Sequence, residues 1–138
     1  MEIKREPQLR QLANLKQEHF GEVFRQVLFS PETTGNNYLK MAYINVPAGA
    51  QGTPHHHLGE EIVYTISGHA VLPMRGVDYH LTAGTCLLIP PDTAHPARVL
   101  GEEPWVAVAA YCDECPVLKK TLGKEGQAYP LDVPAGQE

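Results

Sequence analysis

Between residues 22 and 111 the chain alternates short β-type apolar runs with clusters of Gly, Pro, Asn and Asp. The runs are "EVFRQVLF", "YLKMAYINV", "EIVYTIS", "AVLPM", "DYHLTA", "CLLIP", "ARVL" and "WVAVAAY". The breaks "SPETTGNN", "PAGAQGTP", "RGVD" and "LGEEP" are turn chemistry, because Gly reaches positive φ without steric cost and Pro presets φ. Short strands at such close spacing predict an all-β sandwich or barrel built from hairpins.

The two ends differ from this middle. In "QLRQLANLKQEH", residues 8–19, Leu9, Leu12 and Leu15 recur every three positions after Pro7, which predicts a short amphipathic helix in an N-terminal extension over 1–21. Residues 112–138 are polar and rich in Pro and Gly, and are expected as an extended tail lying over the barrel or over a neighbouring subunit. With 138 residues the chain suits a single domain, whose barrel core spans about 22–111.

Composition removes several classes of function. At 43% hydrophobic and 20% charged residues, neither disorder nor a fibrous repeat is expected. The longest apolar runs, such as "WVAVAAY", fall far below the roughly 20 residues of a membrane-spanning helix. "MEIKREPQLR" is charged and has no apolar stretch, so it is not read as a secretory leader and the cytoplasm is the expected location. The net charge is −5, and Lys119-Lys120 is the longest basic run. Nucleic acid and anionic membrane are therefore not expected partners. Three cysteines do not make a disulfide framework.

The densest chemistry lies in "GTPHHHLGEE", residues 52–61. If this stretch is extended, His55 and His57 share one side and His56 takes the other. Beyond the turn that Gly59 allows, a glutamate can complete the set, although strand parity does not choose between Glu60 and Glu61. His95, in "PPDTAHPARV", can bring a third imidazole from another strand. Imidazoles with a carboxylate suit Fe, Mn, Zn, Ni, Co or Cu, and the absence of thiolates argues against a purely structural zinc site. The plainer reading of three adjacent histidines is an exposed polar turn.

Gly49, five residues, His55, one residue, His57, three residues, Glu61, six residues and Gly68 resemble the first signature motif of the cupin superfamily at every fixed position. Gly84, five residues, Pro90, then Asp92, two residues and His95 approach the second motif. Asp92 stands where glycine is usual, and Val99 where asparagine is frequent. The resemblance spans roughly residues 40–110. It implies a double-stranded β-helix, the cupin jelly-roll barrel, with one divalent transition metal ion held by His55, His57, Glu61 and His95.

Other residues are candidates for supporting roles. Tyr64 is a candidate proton-transfer group, as a tyrosine near the metal is in some cupin lyases, although its parity is opposite to that of Glu61. His80 is a candidate for lining the cavity, and His69 a weaker one. Arg25, Arg75 and Arg98 are candidates for gripping a substrate carboxylate, Arg25 first because "EVFRQVLF" has a face that can look into the barrel. Cys112 and Cys115 are spaced for a redox pair or half a zinc site, but two ordinary thiols are the simpler reading, and Cys86 is expected to be a small buried residue.

The expectation is a mononuclear metal-dependent cupin enzyme, a dioxygenase or other oxidoreductase, or else a lyase, cyclase or isomerase. Its substrate is expected to be a small polar molecule bearing a carboxylate or carbonyl that chelates the ion. The alternative is a non-catalytic cupin that holds a metal and a small ligand as a sensor or accessory protein. Small cupins usually pair through their outer strands, so a homodimer is expected.

Overall fold

A computed structural model gives the fold and describes residues 3, 5–51, 59–91, 93 and 96–112. Among these residues the strands, in chain order, are β1 (Glu18–Phe20), β2 (Val23–Phe29), β3 (Lys40–Val46), β4 (Glu61–Ser67) and β5 (His69–Met74). They continue with β6 (Val77–Leu81), β7 (Cys86–Ile89), β8 (Arg98–Leu100) and β9 (Trp105–Tyr111). A single helical turn, α1 (Pro31–Thr34), joins β2 to β3, capped by the Ser30 side chain accepting from the Thr33 N–H. Every one of the eight β-type runs forms a strand.

The strands form a six-stranded sheet in the order β1-β2-β3-β9-β4-β7 and a three-stranded sheet in the order β6-β5-β8. Pairing is antiparallel throughout. One apolar cluster joins the sheets: Ala42, Ile44, Val63, Ala107 and Ala109 from the larger pack with Ala70, Leu72, Leu81 and Val99 from the smaller. This is the double-stranded β-helix that the sequence motifs imply. Burial alternates along β4, with Glu61, Val63 and Thr65 inside and Ile62, Tyr64 and Ile66 outside. A polar contact threads the core: the Trp105 indole N–H donates to Thr65 Oγ1 at 3.0 Å, pairing two groups buried from water.

Turn chemistry sets two of the corners. Arg75 and Gly76 form a two-residue hairpin between Met74 and Val77, with φ of 52° and 80°, the paired positive values that match the twist of the strands they join. At Gly84 the backbone N–H donates to the Thr65 carbonyl, while the Thr65 N–H donates to the Thr85 carbonyl, so this turn extends the β4–β7 pairing.

The N-terminal helix expected over 8–19 is corrected. Only Leu12–Asn14 turns, as a 3₁₀ helix, and Glu18–Phe20 instead adds a strand to the large sheet. Leucines three apart suit the three-residue 3₁₀ repeat better than the 3.6-residue α-helix. The Gln26 side-chain amide, from β2, donates to the Leu12 and Leu15 carbonyls at 2.9 and 3.0 Å, taking acceptors that a continuing helix would use. The tail read over 112–138 lies outside the described residues beyond Cys112. No described helix is long and apolar enough to cross a membrane.

Candidate metal centre

Cross-strand register lays the inner face out in rows. Directly opposed residues point to the same side of a sheet, and one row runs Lys40, Tyr111, Glu61, Ile89 across β3, β9, β4 and β7. The next row inward is apolar: Val27, Ala42, Ala109, Val63 and Leu87. Below it lies Arg25, Ile44, Ala107 and Thr65. Glu61 thus stands in the last row at one end of the barrel, its carboxylate at the first position of β4 and 3% exposed.

Of the four residues that the motifs imply as ligands, Glu61 is described, while His55, His57 and His95 lie outside the described residues. Described residues that flank these segments pair with Glu61 and with one another. Glu61 pairs with Ile89, the last residue before Pro90 and Pro91, and Gln51 bridges Arg98 while the Ala50 carbonyl accepts from the Val99 N–H. A carboxylate so deeply buried beside Val63, Ile89 and Tyr111 needs a cation or strong donors to offset its desolvation. A metal ion with imidazoles as its other donors fits that requirement.

The remaining candidates are placed as follows. Tyr64 is 45% exposed and points out of the barrel, one residue out of phase with Val63. His80 is exposed on the outer side of the small sheet, because it pairs with Val71 while the adjacent Leu81 and Ala70 pair faces the core. Its Nδ1 is 2.9 Å from Nε2 of His69. The rings' centroids are 5.1 Å apart, about as far as that contact permits, so the two nitrogens point along one line at each other. That is a hydrogen bond between imidazoles and not two lone pairs converging on an ion. Neither Tyr64 nor His80 is carried forward to the centre.

Arg25 does face inward, paired with Ile44, and its Nη2 lies 3.2 Å from Glu18 Oε2. It belongs, however, to the row four strand residues away from Glu61, about 13 Å along the barrel at 3.3 Å per residue. Arg75 occupies a hairpin tip and Arg98 is exposed on β8. Cys86, expected to be buried, is exposed on the outer face of the edge strand β7, since it pairs with outward Tyr64. Cys112 follows β9 and is half-buried, and Cys115 lies outside the described residues.

Two residues of the row were not singled out from the sequence: Tyr111, opposite Glu61 and buried, and Lys40, opposite Tyr111. The Lys40 side chain is 12% exposed, and its Nζ lies 2.8 Å from Glu32 Oε1 on α1. Partial burial pushes the Glu32 carboxyl up, but the hydrogen bond from Lys40, a backbone hydrogen bond, the Lys40 charge and the Ser30 hydroxyl outweigh it, leaving a net value below the ordinary 4.5. The depressed value means the pair stabilises the fold above the ordinary carboxylate range and stops doing so as pH falls through the lowered value.

Comparison with known proteins agrees with the architecture. The cupin domain family model matches residues 42–111, just over half of the chain. The chain belongs to the cupin family. Among curated proteins nothing matches. Among solved structures, the polyketide cyclase RemF from Streptomyces resistomycificus superposes with a TM-score of 0.70 at 16% identity, covering 92% of this chain and 89% of RemF. A predicted oxalate decarboxylase from Thermotoga maritima gives 0.67 at 22% identity, over 76% of this chain and 98% of that one. A RmlC-like cupin from Shewanella frigidimarina gives 0.65 at 24% identity, over 78% and 91%. At these identities the likeness is one of fold. The three glycines of the motifs, Gly49, Gly68 and Gly84, all adopt positive φ, at 78°, 84° and 84°.

Proposed function

We propose that the protein is a mononuclear metal-dependent enzyme acting on a small carboxylate- or carbonyl-bearing molecule, with His55, His57, Glu61 and His95 holding the ion. The observation that carries the reading is the burial of Glu61 at the rim of the barrel, beside the apolar row of Val63, Ala109 and Ala42. A bound first-row ion would supply Lewis acidity or, as iron, a site for dioxygen. The protein contributes a carboxylate fixed by strand pairing, a phenol beside it in Tyr111, and an apolar floor of Val63, Ala109 and Ala42 that keeps water from the far side. Dioxygenase, lyase, cyclase and isomerase chemistry all fit such a centre. The likeness to a polyketide cyclase and to a predicted oxalate decarboxylase supports an enzyme without selecting the reaction.

The test is elemental analysis of protein purified without a chelating column. His57→Ala and His95→Ala are expected to lose most of the metal and His56→Ala to keep it. Equal loss from His56→Ala would overturn the ligand assignment. Oxygen uptake with a panel of small carboxylates then separates an oxygenase from the non-redox reactions. Stoichiometric metal without turnover of any compound would favour the non-catalytic alternative.

The same proposal includes a homodimer formed through the outer face of the large sheet. Across β3, β9, β4 and β7 this face carries Met41, Tyr43, Asn45, Val106, Val108, Ala110, Ile62, Tyr64, Ile66, Cys86 and Leu88, without a charged side chain. Ile62 and Leu88 are 47% and 55% exposed, where an outer strand face is ordinarily polar. The large apolar residues alone expose on the order of 500 Å², against the ~800 Å² per partner of a standard interface. A chain with a net charge of −5 meets its own copy best where no like charges are opposed. Ile62→Asp is expected to halve the mass measured by light scattering. A monomeric wild type at micromolar concentration would overturn the dimer and leave residues 113–138 or another protein as the cover.

A further inference from the structure

Residues 8–15 run as a strap over the outer side of β2 and are held there by side-chain hydrogen bonds. The Gln26 amide, on the outer face because Gln26 pairs with outward Tyr43, donates to the Leu12 and Leu15 carbonyls at 2.9 and 3.0 Å. Arg10 Nη1 donates to the Leu28 carbonyl at 2.8 Å, and its guanidinium carbon lies 5.9 Å from the centre of the Phe29 ring. The Gln8 side chain donates to the Thr34 carbonyl, at the end of α1, at 3.1 Å. Both sequence neighbours of Leu9 are thus tied to the fold, yet Leu9 itself is 93% exposed. An exposed leucine on a free end needs no explanation. One held at a fixed corner, in a segment ordered at an entropic cost, presents a defined apolar surface.

Resting on the dimer reading above, we propose that this corner is the second part of the self-association surface, where Leu9, Tyr38 and Leu39 pack against a second copy of the chain. The corner adjoins the apolar sheet face. Phe29, under Arg10, pairs with Met41, and that outer row continues through Ala110 and Ile62 to Leu88. Tyr38 and Leu39 lead into β3 immediately before Met41 and are 48% and 71% exposed, with the Asn36 side-chain amide donating to the Leu39 carbonyl at 2.8 Å. Area is the second argument. The large apolar residues of the sheet face fall short of the ~800 Å² per partner of a standard interface, and these three add on the order of 400 Å², which makes up the difference. Charge is the third. Residues 7–17 include Arg10 and Lys16 and no acidic side chain, so the strap meets a second copy of net charge −5 without carboxylates of its own to repel it.

The experiment is sedimentation equilibrium of the full-length protein over a dilution series, comparing wild type, Leu9→Asp, Leu9→Met and Ile62→Asp. Circular dichroism and melting temperature are recorded on the same samples to show that each variant is folded. Leu9→Asp is expected to raise the dimer dissociation constant at least about tenfold, because a two-fold interface contains the residue twice. Leu9→Met, which keeps an apolar side chain of similar volume, is expected to retain most of the affinity. A folded Leu9→Asp with the wild-type dissociation constant would overturn the proposal. If Ile62→Asp is monomeric in that same series, the dimer through the sheet face stands without the strap. A wild type that is monomeric throughout would overturn both readings.

Discussion

Gly68→Ala is expected to destabilise the protein by more than about 4 kcal/mol and to prevent it from accumulating folded at 37 °C. Two separate costs combine. The φ of 84° is a left-handed conformation that an L-residue with a Cβ adopts at roughly 1–3 kcal/mol. A methyl group there would also press into the Pro104 carbonyl oxygen and come within 2.7 Å of Trp105 Cα and 2.9 Å of the Pro104 carbonyl carbon. These are backbone atoms at the start of β9 and cannot swing away as a side-chain tip would. Moving them would displace Trp105, whose indole holds Thr65 in the core. Gly76→Ala supplies the control, because its φ of 80° carries the same conformational cost while nothing lies within 4 Å of a Cβ there. Its loss should stay near 1 kcal/mol, and urea melts of the two variants measure the difference. If Gly68→Ala costs no more than Gly76→Ala, the close approach of β9 to the β4–β5 bend is not what this glycine serves.

That contrast shows how the sequence is to be read. Gly68 completes the histidine motif by spacing, yet its role is to let β9 cross the end of β4, opposite the end that holds Glu61. Strands were legible because their signal is local: each of the eight runs carries its own β-type composition and its own flanking turns. Sheet order was not, because β9 enters between β3 and β4 from some 40 to 65 residues away in sequence, and nothing in "WVAVAAY" names its partners. For that reason Glu61 was found by spacing, while Lys40 and Tyr111, its companions in the row, were not. The same missing register left Cys86 on the wrong face. At the N-terminus, a three-leucine pattern was outbid by Gln26 and by the pairing of Glu18–Phe20 with β2, both long-range effects that a local periodicity does not contain.

Glu61→Gln is expected to separate metal binding from folding. Glu61 is 3% exposed, and a neutral amide of nearly the same shape keeps its packing while removing the negative charge that would hold an ion. In wild type, a metal present at about 100 times its dissociation constant adds about 2.7 kcal/mol, on the order of 10 °C in melting temperature for a domain of this size. Chelation should remove that increment from wild type, whereas Glu61→Gln should start near the chelated value and stay there, with most of its metal gone. The melt is informative because a purely structural Glu61 predicts a different result: the variant would be less stable than wild type both with and without chelator, by the same amount. Retention of wild-type metal content and of the chelator response by Glu61→Gln would mean the ion, if there is one, is held elsewhere. The burial of Glu61 would then have to be explained by hydrogen bonds within the protein alone.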